Sequence, residues 1–435
     1  MSTDSSESRI AARGRALALT VAAAFVAGCS PETPDAQADP SGDLPPGFWF
    51  DERTAVRPAD LGELGYADGY EAPDERWTGV RVHDPSAAYA GAMVLASGHE
   101  PAAHVLHPDG SLERRWALDR HPENAPLVPE PDHPTQRTWR RVEPLADDGL
   151  LAIHEGLCLL RLDDESRVMW AGVPGAHHDL EVDGEEVWTL DRRVRPPEGE
   201  GADAWIVDDG LARVDLSDGT VRQRLSILGL VEASDSAGLV EEAIRQARSI
   251  DVPSAVEGDA PRRALDPLHA NALVCLPAAP NEIVVLLRDI GALASIDVVE
   301  GRLAWLRMGP WQGAHDPRVQ ITEETGPRGR VLLFDNFGRR DAARPSSRVL
   351  ALSLPGLATE TVYEDDPPEG FHSPVCGALA PLPGDLVLVV ETTAGRAFQI
   401  DASGRLVWEF RSPFRLEERG IVAALLDMRP LNRSR

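Results

Sequence analysis

The chain has 435 residues, with 71 acidic groups against 43 basic ones and a formal net charge of −28. That balance argues against a nucleic-acid-binding surface, which needs an excess of cations to neutralise phosphate. There is no lysine, every basic residue being arginine, so Schiff-base and P-loop mechanisms are excluded too.

The N-terminal residues read as a processing signal rather than as fold. Arg9, Arg13 and Arg15 give a positive start, and Ala16 to Ala27 is apolar apart from Thr20. That run is too short to span a bilayer as a helix. Small residues ending in Gly28-Cys29 resemble the lipobox of bacterial lipoproteins. We therefore expect residues 1–28 to be a signal peptide, Cys29 a lipidated N-terminus, and 29–60 a Pro/Asp/Ser-rich tether. Ser30, rather than Asp, resembles the signal for the outer membrane, so the expected location is the cell envelope, with the lipid as the only membrane contact. The folded domain is then residues 61–435.

From there the chain repeats one pattern, an apolar run, an Asp/Gly/Ser turn and a second run that often ends in Trp. It recurs at His107 to Trp116, Leu162 to Trp170, Val214 to Leu225, Ile296 to Trp305, Val349 to Val362 and Ile400 to Trp408. A small two-faced sheet cannot bury both faces alone, whereas sheets packed radially around an axis can. Six hairpins thus predict an all-β six-bladed propeller. The apolar stretch 421–428 is expected to close the ring by pairing with an early blade, because an open seam would expose an edge. Leu239 to Ile250 breaks the β pattern with helical periodicity and reads as a helical insertion. The Trp residues at hairpin ends read as packing between blades.

Besides Cys29 only Cys158, Cys275 and Cys376 remain, so at most one disulfide can form among them, and their apolar surroundings favour buried thiols. His99-Glu-Pro-Ala-Ala-His104 superficially matches a zinc-protease helix, but its spacing is five and Pro101 breaks a helix, so that reading is rejected. Three histidines occupy similar places in their repeats: His178 in His-His-Asp-Leu, His269 in Leu-His-Ala-Asn and His315 in Ala-His-Asp-Pro. Propeller symmetry would bring such residues together around the axis.

These residues resemble the bacterial arylsulfate sulfotransferases. The match runs through His177-His178-Asp179, Asp266-Pro-Leu-His-Ala-Asn271, Val284-Val-Leu-Leu-Arg288, His315-Asp-Pro, Leu333-Phe-Asp-Asn336, Ser347-Arg348-Val and Gly404-Arg-Leu-Val-Trp-Glu409. The resemblance implies a six-bladed propeller that moves a sulfuryl group from an aryl sulfate ester to a phenol, with no nucleotide, metal or other cofactor. It implies His315 as the nucleophile, His269, Asn271 and Arg288 around the sulfuryl group, and His178 as a proton donor to the departing phenolate. His177 is an alternative counterpart of His178, since strand alternation would turn only one of the two toward the channel. A lipid anchor is expected in place of the family's separate N-terminal β domain, and the acidic turn Glu364 to Glu369 finds no match. The competing class is a non-catalytic binding propeller, or a metal site in which the histidines are joined by Asp179 or Asp316.

Overall fold

The computed structural model describes residues 78–131, 137–196, 205–249, 264–338, 346–354, 356–365, 370–416 and 420–431. The signal segment, Cys29, the tether and residues 366–369 of the acidic turn lie outside these residues.

Six mainly antiparallel sheets follow one another around an axis, and all but the first begin with their innermost strand. In chain order the inner strands of blades two to six are Trp139–Pro144, Ala176–Asp183, Ala270–Cys275, His315–Gln320 and Ala378–Leu382. The inner strand of blade one comes from the far end of the chain: Leu425–Pro430 pairs with Met93–Ser97, Leu95 standing opposite Met428. The closure expected of residues 421–428 is thereby made, by a segment that begins and ends slightly later. Gly79–His83 adds a fifth strand to blade six and covers the outer edge of Leu406–Arg411.

Each of the six predicted hairpins joins the third and fourth strands of one blade, counted from the axis. Five of their turns are closed by an aspartate: Asp109, Asp163, Asp215, Asp297 and Asp401 each accept, on a side-chain oxygen, the backbone N–H two residues on. Gly110 and Gly404 then take φ of 91° and 81°, which a side chain would resist.

The second strand of most blades has an apolar centre because both its faces are buried. In Arg330–Asp335, Val331 and Leu333 pack toward blade four while Leu332 and Phe334 pack toward blade six. Six hydrophobic clusters result, one at each blade junction. Trp116, Trp170 and Trp408 lie within these junctions, as their sequence positions suggested. Truncating the fully buried Trp116 to Ala would cost about 3 to 5 kcal/mol. The predicted helix is present as α2 (Ala237–Ser249), preceded by a short helix α1 (Ile227–Glu232) that the sequence reading missed. No helix among the described residues is long and apolar enough to cross a membrane.

Candidate active site

The inner strands of blades two to five each carry a β-bulge near their first residues. Pairing skips Arg140 in blade two, His178 and Asp179 in blade three, Asn271 in blade four, and Asp316 and Pro317 in blade five. A bulge leaves its extra residue outside the ladder and re-aims its side chain. His178, His269 and Asp316 hold φ near +50° to +60° at these places. Residues far apart in sequence are thereby turned toward one end of the axis.

Across the axis lies an ionic plug that the sequence did not reveal. Arg141 of blade two donates to Asp179 (2.8 Å), Asp316 (2.6 Å) and Asp427 (3.1 Å), one carboxylate each from blades three, five and one. Each aspartate also accepts a backbone N–H from the next blade, at Val142, Leu273 and Leu379 respectively for Asp427, Asp179 and Asp316. Arg318 pairs with Asp179 and Asp316, and Arg429 with Asp316 and Asp427. Three guanidinium groups thus meet three carboxyl groups at a site where desolvation works against charge on either. Two residues further along their strands, burial raises Glu143 to about 7 and Glu181 to about 8.

The predicted site residues gather beside this plug. His315 is buried, and its Nδ1 lies 2.8 Å from the Gly313 carbonyl oxygen and 2.9 Å from Asn336 Oδ1. Both partners only accept, so Nδ1 carries the proton and Nε2 keeps its lone pair. Asn336 is fixed in turn by donating to the Ser373 and Cys376 carbonyls. Burial, followed by the charges of Arg140 and Arg288, holds His315 well below the usual imidazole pKa. The result is a neutral imidazole with one buried nitrogen, Nε2, that has no partner in the protein.

His269 is oriented by the same logic. Its Nδ1–H donates to Asp266 (2.7 Å), its backbone N–H to the other oxygen of that carboxylate (2.9 Å), and its Nε2 is buried without a partner. Burial opposes ionisation of Asp266, but the Arg192 guanidinium and His269 outweigh it and keep the carboxyl below its usual range. Asn271 donates to the Ala314 carbonyl (2.9 Å), which leaves its buried Oδ1 as an acceptor with nothing to accept. Arg288 is buried and aligned by Asp289 (2.8 Å).

His177 and His178 do not alternate across the strand. The bulge and the positive φ of His178 bring their Nδ1 atoms within 2.7 Å, so both rings lie inside. His177 turns its Nε2 to Asp209 (3.3 Å), while the ring of His178 stands edge-on to that of His269 at 5.2 Å. Burial, then the charges of His177 and Arg140, lowers the pKa of His178 well below normal.

The two aspartates on which a metal site would draw, Asp179 and Asp316, face arginines of the plug. The His99 to His104 segment forms a turn and strand start, in which the Glu100 carboxylate is shared by His99, His104 and Arg114 at 2.9–3.1 Å. Among the described residues no disulfide joins Cys158, Cys275 and Cys376.

Sequence reasoning missed Arg140, Arg141, Arg192 and Asp209, and gave no role to Asp266 and Asn336. The last two stand inside quoted motifs, whereas Arg140 and Arg141 lie in Thr-Trp-Arg-Arg-Val, which reads as ordinary strand.

Comparison with known proteins gives one family match. The profile described as arylsulfotransferase (ASST) covers residues 150–413, more than half of the chain and all six predicted site residues. No curated protein matches the sequence significantly. Among solved structures, a protein of unknown function from Bacteroides caccae aligns at 11% identity over 74% of this chain and 94% of its own, with a TM-score of 0.47. A streptogramin B lyase aligns at 9% over 80% and 87%, with a TM-score of 0.42. A putative 6-phosphogluconolactonase from Bacteroides fragilis aligns at 10% over 80% and 99%, with a TM-score of 0.38. Likenesses of this size assign no function.

Proposed function

The chain belongs to the arylsulfotransferase family, and from that premise we propose that it carries a sulfuryl group from an aryl sulfate ester to a phenol by way of sulfated His315. The observation that carries this reading is the pair of contacts on His315 Nδ1, which leave Nε2 as a neutral, buried nucleophile.

In the first half-reaction Nε2 attacks sulfur, the N–S bond forms as the S–O(aryl) bond breaks, and the phenolate leaves with that bond's electron pair. In the second, a phenol oxygen attacks sulfur, the O–S bond forms, and the N–S pair returns to Nε2. The transition state is loose, so the protein's task is to position the group and hold its charge. Arg288 offers a planar fork to the sulfuryl oxygens, and Asn271, with one amide hydrogen given to Ala314, has a second to donate to the same group. His178, kept neutral, takes the acceptor's proton and, by microscopic reversibility, returns it to a departing phenolate.

The leader sequence supports placing this domain in the cell envelope, held to the outer membrane by lipid on Cys29; several acyl chains on one cysteine would hold it firmly.

Incubating the domain with 4-nitrophenyl sulfate and weighing the intact protein tests the chemistry. The expected adduct is one sulfuryl group, about 80 Da, discharged by added phenol and absent from His315→Ala. Folded protein that releases no nitrophenol and gains no mass would leave the binding propeller as the better reading.

A further inference from the structure

We propose that Arg140 is a second ligand of the sulfuryl oxygens, forming with Arg288 a two-guanidinium clamp over His315; this deepens the transferase reading and rests on it.

The internal symmetry of the fold places Arg140 in the site. Carboxylates of blades one and three cap the backbone N–H groups of Val142 and Leu273 in the blades that follow. Two residues before these amides stand Arg140 and Asn271, so the two are structural counterparts. Both are skipped in their strand ladders, at bulges between Trp139 and Arg141 and between Ala270 and Ala272. The fold therefore re-aims Arg140 as it re-aims Asn271, toward the end of the axis where the orphan atoms His269 Nε2, Asn271 Oδ1 and His315 Nε2 are found.

Its contacts agree. The side chain is buried, and Nη1 reaches from blade two to the Sγ of Cys376 in blade six, 2.9 Å away. A thiol sulfur is a weak acceptor, so this hydrogen bond is readily exchanged for one to an anionic oxygen. The Cys376 carbonyl in turn accepts from Asn336, whose Oδ1 holds His315 Nδ1, so a short hydrogen-bonded chain links Arg140 to that ring, and its charge, like that of Arg288, disfavours protonated His315. Arg141, the next residue, donates to three aspartates of the plug. One neighbour closes the axis while the other serves the ligand.

The test uses His315→Ala to prevent turnover and compares it with His315→Ala/Arg140→Gln. Titration with 4-nitrophenyl sulfate should show binding weakened roughly ten- to a hundredfold by the loss of Arg140, the range for a hydrogen bond to a charged group. Neutral 4-nitrophenol should bind both proteins alike. Arg140→Lys, which keeps the charge without the fork, should recover part of the affinity and serves as the test variant if the glutamine does not fold. With His315 restored, Arg140→Gln should shift the acid limb of kcat/KM to higher pH, because the nucleophile is then easier to protonate. Aryl sulfate binding within twofold in both proteins, with an unmoved acid limb, overturns the clamp. The outcomes separate the two readings: Arg140-dependent binding without any sulfohistidine in the wild type sinks the transferase and keeps the clamp. Normal adduct formation and affinity in Arg140→Gln does the reverse.

Discussion

Nη2 of Arg141 lies 2.6 Å from Oδ1 of Asp316, joining residues 175 positions apart at the axis of the ring. The same guanidinium reaches Asp179 and Asp427, so one planar group of three nitrogens ties together carboxylates from alternate blades. The backbone bonds those carboxylates accept extend the tie to the blades between them. The plug thus fixes the inner strands against one another, and with them the histidines that those strands carry.

Replacing Arg141 with Met should be severely destabilising, because it leaves three buried aspartates short of their shared cation. A loss of about 3 to 5 kcal/mol is expected from urea unfolding at neutral pH. The deficit should shrink as the pH is lowered, since protonated aspartates tolerate the gap. A deficit that is small and independent of pH would mean that Arg318 and Arg429 neutralise the centre without Arg141.

Stability should fall as the pH rises from about 6.5 to about 8. Burial raises Glu143 to about 7 and Glu181 to about 8, above their ordinary value of 4.5. A raised carboxyl pKa stabilises the fold while the group is protonated; that contribution is full below about 4.5 and is lost as the pH passes the raised values. His178 and His315 act oppositely, their lowered pKa values adding stability as the pH approaches 6.5 from below. Above that point only the carboxyl slope remains. Urea midpoints near pH 6.5 and pH 8 should differ in the wild type and lie closer together in Glu143→Gln/Glu181→Gln, where the raised Asp316 remains.

Removing the Asn336 side chain should impair chemistry more than binding. Its Oδ1 is one of two acceptors that fix the proton of His315 on Nδ1 and so keep the lone pair on Nε2. Asn336→Ala should lower kcat on the order of a hundredfold, the scale for a misplaced reacting group, with KM little changed. A rise in KM at constant kcat would assign Asn336 to substrate binding instead.

The acid limb of turnover should lie well below pH 6.5. Burial, with Arg140 and Arg288, disfavours protonated His315, so the nucleophile stays available as the pH falls through the usual imidazole range. A pH profile of kcat/KM with 4-nitrophenyl sulfate that bends near 6.5 would show that His315 is not the group being titrated, or that its environment differs from the one described.

The sequence by itself determined the repeat and most of the site. Alternation, Asp/Gly turns and hairpin spacing are local properties, so the six hairpins and helix α2 could be read directly. The histidines stood out because each lies in a recognisable motif. Helix α1 was hidden, since Ile227–Glu232 is too short to show a helical period. Only the tertiary structure decided that His177 and His178 both point inward, because the bulge breaking their alternation arises from pairing with Glu186–Arg195. Arg140 and Arg141 could not be told apart from any exposed strand arginines. Their burial depends on carboxylates and a thiol that closure of the ring brings from up to 286 residues away, and sequence separation carries no trace of which blade will face which across an axis.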